Sequence, residues 1–410
     1  MNYFGAHISS EITNGYCILR PGDVIGGHYI VESRLGRGRF SIVYKCRRDD
    51  KHYAIKVYRH GSNNREYFDN ELSIYLTVGG PRPHLLTCHA AFCHMTYDSK
   101  MKYSCVHPCL VFDLLGESVL QMIETIDGGL PLGDAKRLMI QLLLALNTLH
   151  HANIIHTDVK THNLNITKRI ADIQTNNEIS IVLTDLGSST LADSLFSLHT
   201  GTQEYMAPEL IVGAKYTAAI DIWSAMCVYY ELITGDLLFE LPDSCDDDLS
   251  ADKGNATAGD TDSITDTALG DIDTNITCLH LTNESFSSSG DGEATTTLSN
   301  KMYDLSLGLI QMAQIEGLIG SAPKWFSKGD KLGGARDFYN IKGKLKADPT
   351  NGKPPIITKW TISQRLTSLY EFTVEEAAAA EEFMLLGLKF NPADRWTADR
   401  LLKHPYLTGK

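Results

Sequence analysis

The sequence predicts an α+β chain of two lobes, a small β-rich lobe with one key helix followed by a large helical lobe. Three observations predict it: short strand-like runs confined to residues 23–112, helical apolar periodicity from Leu132 onward, and a polar, acidic stretch at 243–300 that interrupts the second lobe. With 410 residues, 43% of them apolar and 21% charged, the chain can bury a large core. That composition excludes a small stapled domain and a wholly disordered chain.

Residues 1–22 read as an N-terminal extension. In the small lobe, 23–112, the runs 29–35, 41–46 and 53–58 alternate β-branched or aromatic residues with polar ones between Gly and charged turns, and one helical stretch covers 67–77. The connecting hinge and first part of the large lobe span 113–242. There 133–150 places Leu138, Leu142, Ala145, Leu146 and Leu149 on one helical face, and 218–234 reads as a second helix. Residues 243–300 hold thirteen acids against one base, Lys253, and no Trp or Tyr. Such a segment cannot offset chain entropy by burial and reads as a disordered spacer. The apolar pattern resumes over 302–319 and the large lobe continues through 301–408, so the spacer interrupts one domain.

Of the net charge of −13, −12 lies in the spacer and −1 in the rest, so total charge argues neither for nor against any partner. Nine cysteines form no regular framework, and the start Met1-Asn2-Tyr3-Phe4-Gly5 has neither a basic nor an apolar leader segment. A reducing compartment is expected. The most apolar stretch, 138–149, is interrupted by Gln141 and Asn147 and falls short of the roughly 18 residues of a membrane span, so no membrane anchor is expected.

The chemistry-bearing motifs begin with Leu35-Gly36-Arg37-Gly38-Arg39-Phe40-Ser41-Ile42-Val43-Tyr44, a Gly-rich hairpin whose missing side chains let backbone amides approach phosphates. Alone, Gly-x-Gly in a hairpin is more often only a tight turn, and Ser41 replaces the third glycine of the full pattern. Lys56, in Tyr53-Ala54-Ile55-Lys56-Val57, follows on a buried-looking strand where a lone charge is costly. Glu71, on the single helix of this lobe, would pair with it and hold it against the α and β phosphates of a nucleotide. Taken singly, Lys56 is equally an edge-strand lysine and Glu71 a solvated helix acid.

The decisive pattern is Ile155-His156-Thr157-Asp158-Val159-Lys160-Thr161-His162-Asn163-Leu164, followed by Leu183-Thr184-Asp185-Leu186-Gly187. Asp158 supplies a carboxylate to orient an attacking hydroxyl and take its proton. Asn163 and Asp185 supply the oxygen ligands that magnesium requires, and Lys160 would neutralise charge on a transferring phosphoryl group. Then come Ala207-Pro208-Glu209, Asp221-Ile222-Trp223-Ser224 and Arg395, with Glu209 and Arg395 expected to form a buried ion pair and Asp221 to brace the catalytic loop.

In these motifs, over 23–242 and 301–408, the chain resembles the eukaryotic protein kinases. The resemblance implies the bilobal protein kinase fold, ATP and Mg2+ as cofactors, and transfer of the γ-phosphoryl group to protein serine or threonine. It further implies Asp158 and Lys160 as catalytic residues and Asn163 and Asp185 as metal ligands. Nucleotide would bind among Leu35, Gly36, Gly38, Val43, Ala54, Lys56, Glu71, Asp113 and Leu115. Val43 and Ala54 would cover the adenine, Phe112 would lie behind it, and the backbone of Asp113, Leu114 and Leu115 would bond it. A nucleotide-binding scaffold without transfer activity is the non-enzyme alternative. Asp158-x-Lys160-x-x-Asn163 favours serine/threonine over tyrosine.

Within the kinases the chain looks like the SR-protein kinase family. It has Thr157 where most kinases carry Arg, Asp185-Leu186-Gly187 in place of a motif with Phe, an acidic spacer splitting the large lobe, and similar runs at Gly15-Tyr16-Cys17, Leu110-Val111-Phe112-Asp113-Leu114-Leu115-Gly116 and Val374-Glu375-Glu376-Ala377. The resemblance implies serines of Arg/Ser-rich splicing factors as substrates, no direct nucleic-acid or membrane contact, a monomer, a cytoplasmic and nuclear location, and a spacer used in localisation or partner binding. Thr157 cannot clamp a phosphorylated activation loop as an arginine does, so activity without activation-loop phosphorylation is expected. The opposing reading has Ser188, Ser189, Thr190 or Ser197 phosphorylated and held by another base.

Two features depart from the family. Gln203-Glu204-Tyr205 lacks the arginines that flank the family's tyrosine, and 301–360, where the family builds an acidic groove, holds ten Lys and Arg against five acids. A serine/threonine kinase with another sequence preference is therefore the alternative within the enzyme class. Cys88-x4-Cys93 and Cys105-x3-Cys109, with His84, His89, His94 and His107 nearby, have zinc-like spacing. Neighbouring strand residues face opposite ways, however, and need not converge on a metal.

Overall fold

A computed structural model describes residues 3–4, 11–13, 15–98, 102–126, 128–168, 179–193, 201–242, 291–327 and 334–409. In the small lobe the strands are β1 (Tyr3–Phe4), β2 (Glu11–Thr13), β3 (Tyr16–Ile18), β4 (Val24–Ile25), β5 (Tyr29–Arg37), β6 (Ser41–Arg48), β7 (Lys51–Tyr58), β8 (Cys88–Asp98) and β9 (Tyr103–Asp113), with helix α1 (Ser62–Val78) between β7 and β8. Seven form one sheet in the order β1-β8-β9-β7-β6-β5-β4, while β2 and β3 make a separate hairpin. Antiparallel register places Val43 opposite Lys56, and Ala54 opposite Phe112. Because side chains alternate along a strand, Ala54, Lys56 and Tyr58 share one face. Two register shifts in β5, at Val31/Ser33 and Arg34/Gly36, bend the strand as it enters the Gly-rich turn, which closes with Gly38 N–H donating to Ser41 O at 2.9 Å.

Helix α1 ends at Gly79, whose φ of 75° is open to glycine at no steric cost and whose N–H closes onto Tyr75 O. The large lobe follows with α2 (Val119–Ile126) and α3 (Leu132–His151). Next come the short strands β10 (Ile154–Ile155), β11 (Leu164–Ile166), β12 (Ile181–Leu183) and β13 (Thr190–Leu191), then α4 (Pro208–Ile211) and α5 (Ala219–Thr234). Beyond the spacer lie α6 (Asp291–Ile319), α7 (Lys324–Ser327), α8 (Ala335–Phe338), α9 (Ile362–Leu369), α10 (Val374–Met384), α11 (Ala398–Leu401) and α12 (Pro405–Thr408). The apolar face expected on α3 is buried, with Leu138, Leu142, Ala145, Leu146 and Leu149 all at 0–1% exposure. Helix α5 is buried along its length and carries Trp223, Tyr229 and Tyr230 into the lobe's centre, as a helix apolar on all sides must. α9 and α10 each start with a capping box, Thr361 with Gln364 and Thr373 with Glu376.

The expected spacer, 243–300, lies outside the described residues as far as 290. Its last ten residues open α6 instead, so that helix starts eleven residues before the expected 302. The polar composition of the segment hid these turns, because a polar stretch carries no apolar periodicity. Residues 16–19 belong to the small-lobe core, where Tyr16, Cys17 and Leu19 pack with Ile25, Val31, Tyr44 and Cys46. The seven described cysteines are thiols, six buried and Cys88 half-buried. Burial pushes Cys17 and Cys46 up to about 12 and Cys88 up to about 11. No group of three or more His, Cys, Asp or Glu that could hold a metal ion occurs among the described residues. None of the described helices is long and apolar enough to cross a membrane.

Candidate active site

Between the lobes, strand β7 and helix α1 bring Lys56 and Glu71 together: Lys56 Nζ lies 2.8 Å from Glu71 Oε2 and 2.8 Å from Asp185 Oδ1. Tyr58, two residues along the same strand face, donates its hydroxyl to Glu71 Oε2. Lys56 holds the Asp185 carboxyl down to about 2 by its charge, against the opposing effect of burial, although Asp185 stands half exposed at the cleft. The paired carboxylates in turn raise Lys56, outweighing its desolvation. Glu71 is pushed up by burial, with Lys56 pulling the other way. Asp185 sits in the left-handed region at φ 58°. Gly187 follows at a tight crossing: a Cβ there would meet Glu71 Oε2 at 3.0 Å and Asp185 Oδ1 at 3.2 Å, so a larger residue would push these carboxylates aside by a few tenths of an ångström.

A second knot surrounds Asp158. Its Oδ1 accepts the Thr202 hydroxyl at 2.7 Å, and its Oδ2 accepts Asn163 Nδ2 at 3.1 Å and faces Lys160 Nζ at 3.1 Å. Lys160 also donates to Thr202 Oγ1 at 2.7 Å, so lysine, threonine and aspartate form a closed triangle. Asn163 Nδ2 also donates to the Asp158 carbonyl. Its amide nitrogen is thus committed to Asp158, and its oxygen is the end available to a metal. The β11–β12 pair, Leu164 opposite Leu183, sets the stretch before Asp185 beside the one after Asn163.

The loop carrying Asp158 is fixed from below. Buried Asp221 accepts the backbone N–H of His156 and of Thr157 and lies 2.9 Å from His150 Nε2. This bracing holds Thr157 at φ 74°, a conformation costly for a β-branched residue. Glu209 and Arg395 join in a bidentate pair, both contacts 2.7 Å, with side-chain exposures of 3% and 0%. Buried Glu231 accepts the hydroxyls of Thr161 and Tyr205 at 2.9 and 2.6 Å, and burial pushes it up to about 7.

The remaining candidates flank these knots. A Cβ on Gly36 would meet open space, and one on Gly38 only Ser41 O at 3.9 Å, so the loop's inner surface is backbone. Leu35 is 49% exposed, Val43 and Ala54 are half-buried, and Leu115 is half-buried in the hinge. Asp113 pairs its carboxylate with His89 at 2.7 Å. Sequence reasoning missed Tyr58, Thr202 and Asn70, whose Nδ2 donates to Ser189 O at 3.0 Å. Of these, Tyr58 alone carried a signal, its two-residue offset from Lys56.

The protein kinase domain family matches residues 29–407. The chain belongs to the protein kinase family. It is similar over 96% of its length, at 25% identity, to the serine/threonine-protein kinase SRPK of Physarum polycephalum, 89% of which is covered. The dual specificity protein kinase CLK4 of Homo sapiens matches at 27% identity over 56% of this chain and 50% of its own. The serine/threonine-protein kinase prp4 of Schizosaccharomyces pombe matches at 29% over 52% and 43%. This kinase is therefore an enzyme of the serine/threonine type related to these groups, a family that generally works with ATP and Mg2+. The donor set fits such a metal: one carboxylate and one amide oxygen, rather than a full protein cage, is what Mg2+ takes when substrate phosphates complete its shell.

Proposed function

We propose that this kinase transfers the γ-phosphoryl group of ATP to serine in Arg/Ser-rich splicing factors, and that it does so without activation-loop phosphorylation. The observation that carries the transfer reading is the triangle of Asp158, Lys160 and Thr202, which fixes the carboxylate before any substrate arrives, one oxygen by the hydroxyl and the other by the ammonium group. Asp158 accepts the proton of the incoming serine hydroxyl as the oxygen–phosphorus bond forms and the bond to the leaving β-phosphate oxygen breaks. Lys160 balances charge on the phosphoryl oxygens, and Lys56, held by Glu71, orients the phosphates behind it. Asn163 and Asp185 would hold Mg2+, which when bound neutralises phosphate charge.

The substrate reading rests on similarity to SRPK along nearly the whole chain. The independence from phosphorylation is supported by how the start of the activation segment is tied. Thr157 Oγ1 donates to Ser188 O at 3.0 Å, Ser189 Oγ to His156 O at 3.3 Å, and Asn70 to Ser189 O at 3.0 Å. β13 pairs with β10, Ile154 opposite Leu191. Ser189 itself is 1% exposed and no ready acceptor, and Ser197 lies outside the described residues. Phosphatase-treated enzyme keeps its initial rate on this reading, and a rate lost on dephosphorylation overturns it.

One observation favours a different sequence preference. Lys342, Lys344, Lys346, Lys353 and Lys359 are exposed, and none is in an ion pair among the described residues. A basic surface there repels an Arg-Ser repeat. Initial rates on an Arg-Ser repeat peptide and on a degenerate serine/threonine array, at two salt concentrations, decide: strong, salt-sensitive preference for the repeat supports the first reading, and preference for acid-flanked serines the second. On either reading the enzyme acts as a monomer in cytoplasm and nucleus, without direct nucleic-acid or membrane contact.

A further inference from the structure

Residues 15–19 precede residue 29, where the kinase family match begins, yet they reach the phosphate loop. The hydroxyl of Tyr16 lies 2.9 Å from the carbonyl of Gly38 and 2.8 Å from the carbonyl of Arg39. One hydroxyl proton is shared between two acceptors at the tip of the Gly-rich turn. In a trans peptide the carbonyl and the N–H of the same unit point in opposite directions. Holding these two carbonyls on the Tyr16 side therefore aims the N–H groups of Arg39 and Phe40 away from it.

Tyr16 is itself firmly placed. Its exposure is 7%, and its ring lies between two guanidinium groups, Arg37 at 4.4 Å and Arg59 at 4.6 Å from the centroid. Arg59 reinforces the same tip, its backbone N–H donating to Phe40 O at 2.9 Å and its Nη1 to Arg39 O at 3.3 Å. Gly15 O accepts His60 N–H at 2.8 Å; Gly15 has φ 79°, and a Cβ there would meet His60 O at 3.2 Å, so the close crossing needs glycine. On the other side Tyr44 donates its hydroxyl to Cys17 O at 2.9 Å and accepts Leu19 N–H at 3.1 Å. The segment is thus sewn to β6 and to the chain just after β7, at the root of the loop it touches.

We infer that Tyr16 is a positioning residue for the nucleotide phosphates, a clasp outside the stretch matched to the kinase domain that holds the Gly-rich loop with its amides turned toward the phosphates. This rests on the kinase reading above. The clasp acts on the loop tip, and so on phosphate binding rather than on the adenine.

Tyr16→Phe removes the shared proton and keeps the ring between its two arginines. Binding of Mg-ATP and of adenosine to the full chain, followed by calorimetry, separates the possibilities. Expected is a Mg-ATP affinity lowered about two- to tenfold, the range one net hydrogen bond spans, with adenosine affinity unchanged, KM for ATP raised and KM for peptide unmoved. Tyr16→Ala, which also frees Arg37 and Arg59, weakens Mg-ATP further. Equal Mg-ATP affinity in parent and Phe variant overturns the clasp and leaves the kinase reading standing. Equal weakening of Mg-ATP and adenosine overturns it too, since that marks a general loosening of the lobe. A parent chain that binds no Mg-ATP overturns both.

Discussion

Replacing Glu209 by Gln preserves shape and removes one charge from the most enclosed ion pair in the large lobe. Arg395 then keeps its bonds to Lys389 O at 2.9 Å and Ala219 O at 3.0 Å but faces an amide whose NH2 end opposes its own N–H groups. Two charge-assisted bonds are weakened, each worth about 1.5–3 kcal/mol. Removal of one partner from a buried pair costs about 3–5 kcal/mol, because the remaining charge stays desolvated. The two estimates agree on a loss of about 3–5 kcal/mol for Glu209→Gln. Arg395→Met should lose a similar amount by stranding the carboxylate.

Urea unfolding of the parent, both single variants and the double variant measures the coupling. The double variant strands no charge, so its loss should fall short of the sum of the singles by about 1–3 kcal/mol. The pair also ties Ala207-Pro208-Glu209 to the chain's end, so phosphotransfer should fall in the singles even below the unfolding midpoint. Singles that each lose less than about 1 kcal/mol, with additive effects, would refute the reasoning and mark the pair as wet.

Asp158→Ala should cut the phosphotransfer rate by about 10²-fold or more while ATP affinity stays near the parent's, measured by initial rates beside calorimetry. Gly187→Ala forces a methyl against Glu71, Asp185 and Lys56, and should raise KM for ATP with little change in thermal midpoint. Burial lifts the Glu231 carboxyl from its ordinary 4.5 to about 7 in the folded enzyme. Over that window the folded state keeps a proton that the unfolded chain releases, so the parent loses stability as pH rises from about 5 to 7. Glu231→Gln should lack that loss, which thermal midpoints at pH 5 and pH 8 would show; parallel shifts in both proteins would count against it.

The motifs around Lys56, Asp158 and Asp185 were legible because their chemistry demands fixed residue types at short spacings. The strands β5, β6 and β7 were legible to within two residues at each end, since period-two alternation marks them. Helices α3 and α5 were legible too, as apolar stretches too long for strands. Tyr16 and Thr202 were not, because their partners lie twenty or more residues away and a lone hydroxyl carries no periodicity. The start of α6 was hidden for another reason: a helix that continues from an apolar segment into a polar one gives no hydrophobic signal for its first turns. Nor does sequence alone reveal that Thr157 is held left-handed, since the constraint comes from Asp221, sixty-four residues on.

The thiols bear on how this enzyme meets oxidants and electrophiles. A sulfur whose proton is lost only near pH 11 or 12 presents almost no thiolate at neutral pH, and thiolate is what peroxide and alkylating warheads attack. Even Cys88, the most accessible of the seven, whose strand partner Phe112 borders the hinge, is shielded in this way. Cys17, Cys46 and Cys88 should therefore stay reduced through oxidative episodes, and covalent inhibitors aimed at these three sulfurs should react slowly.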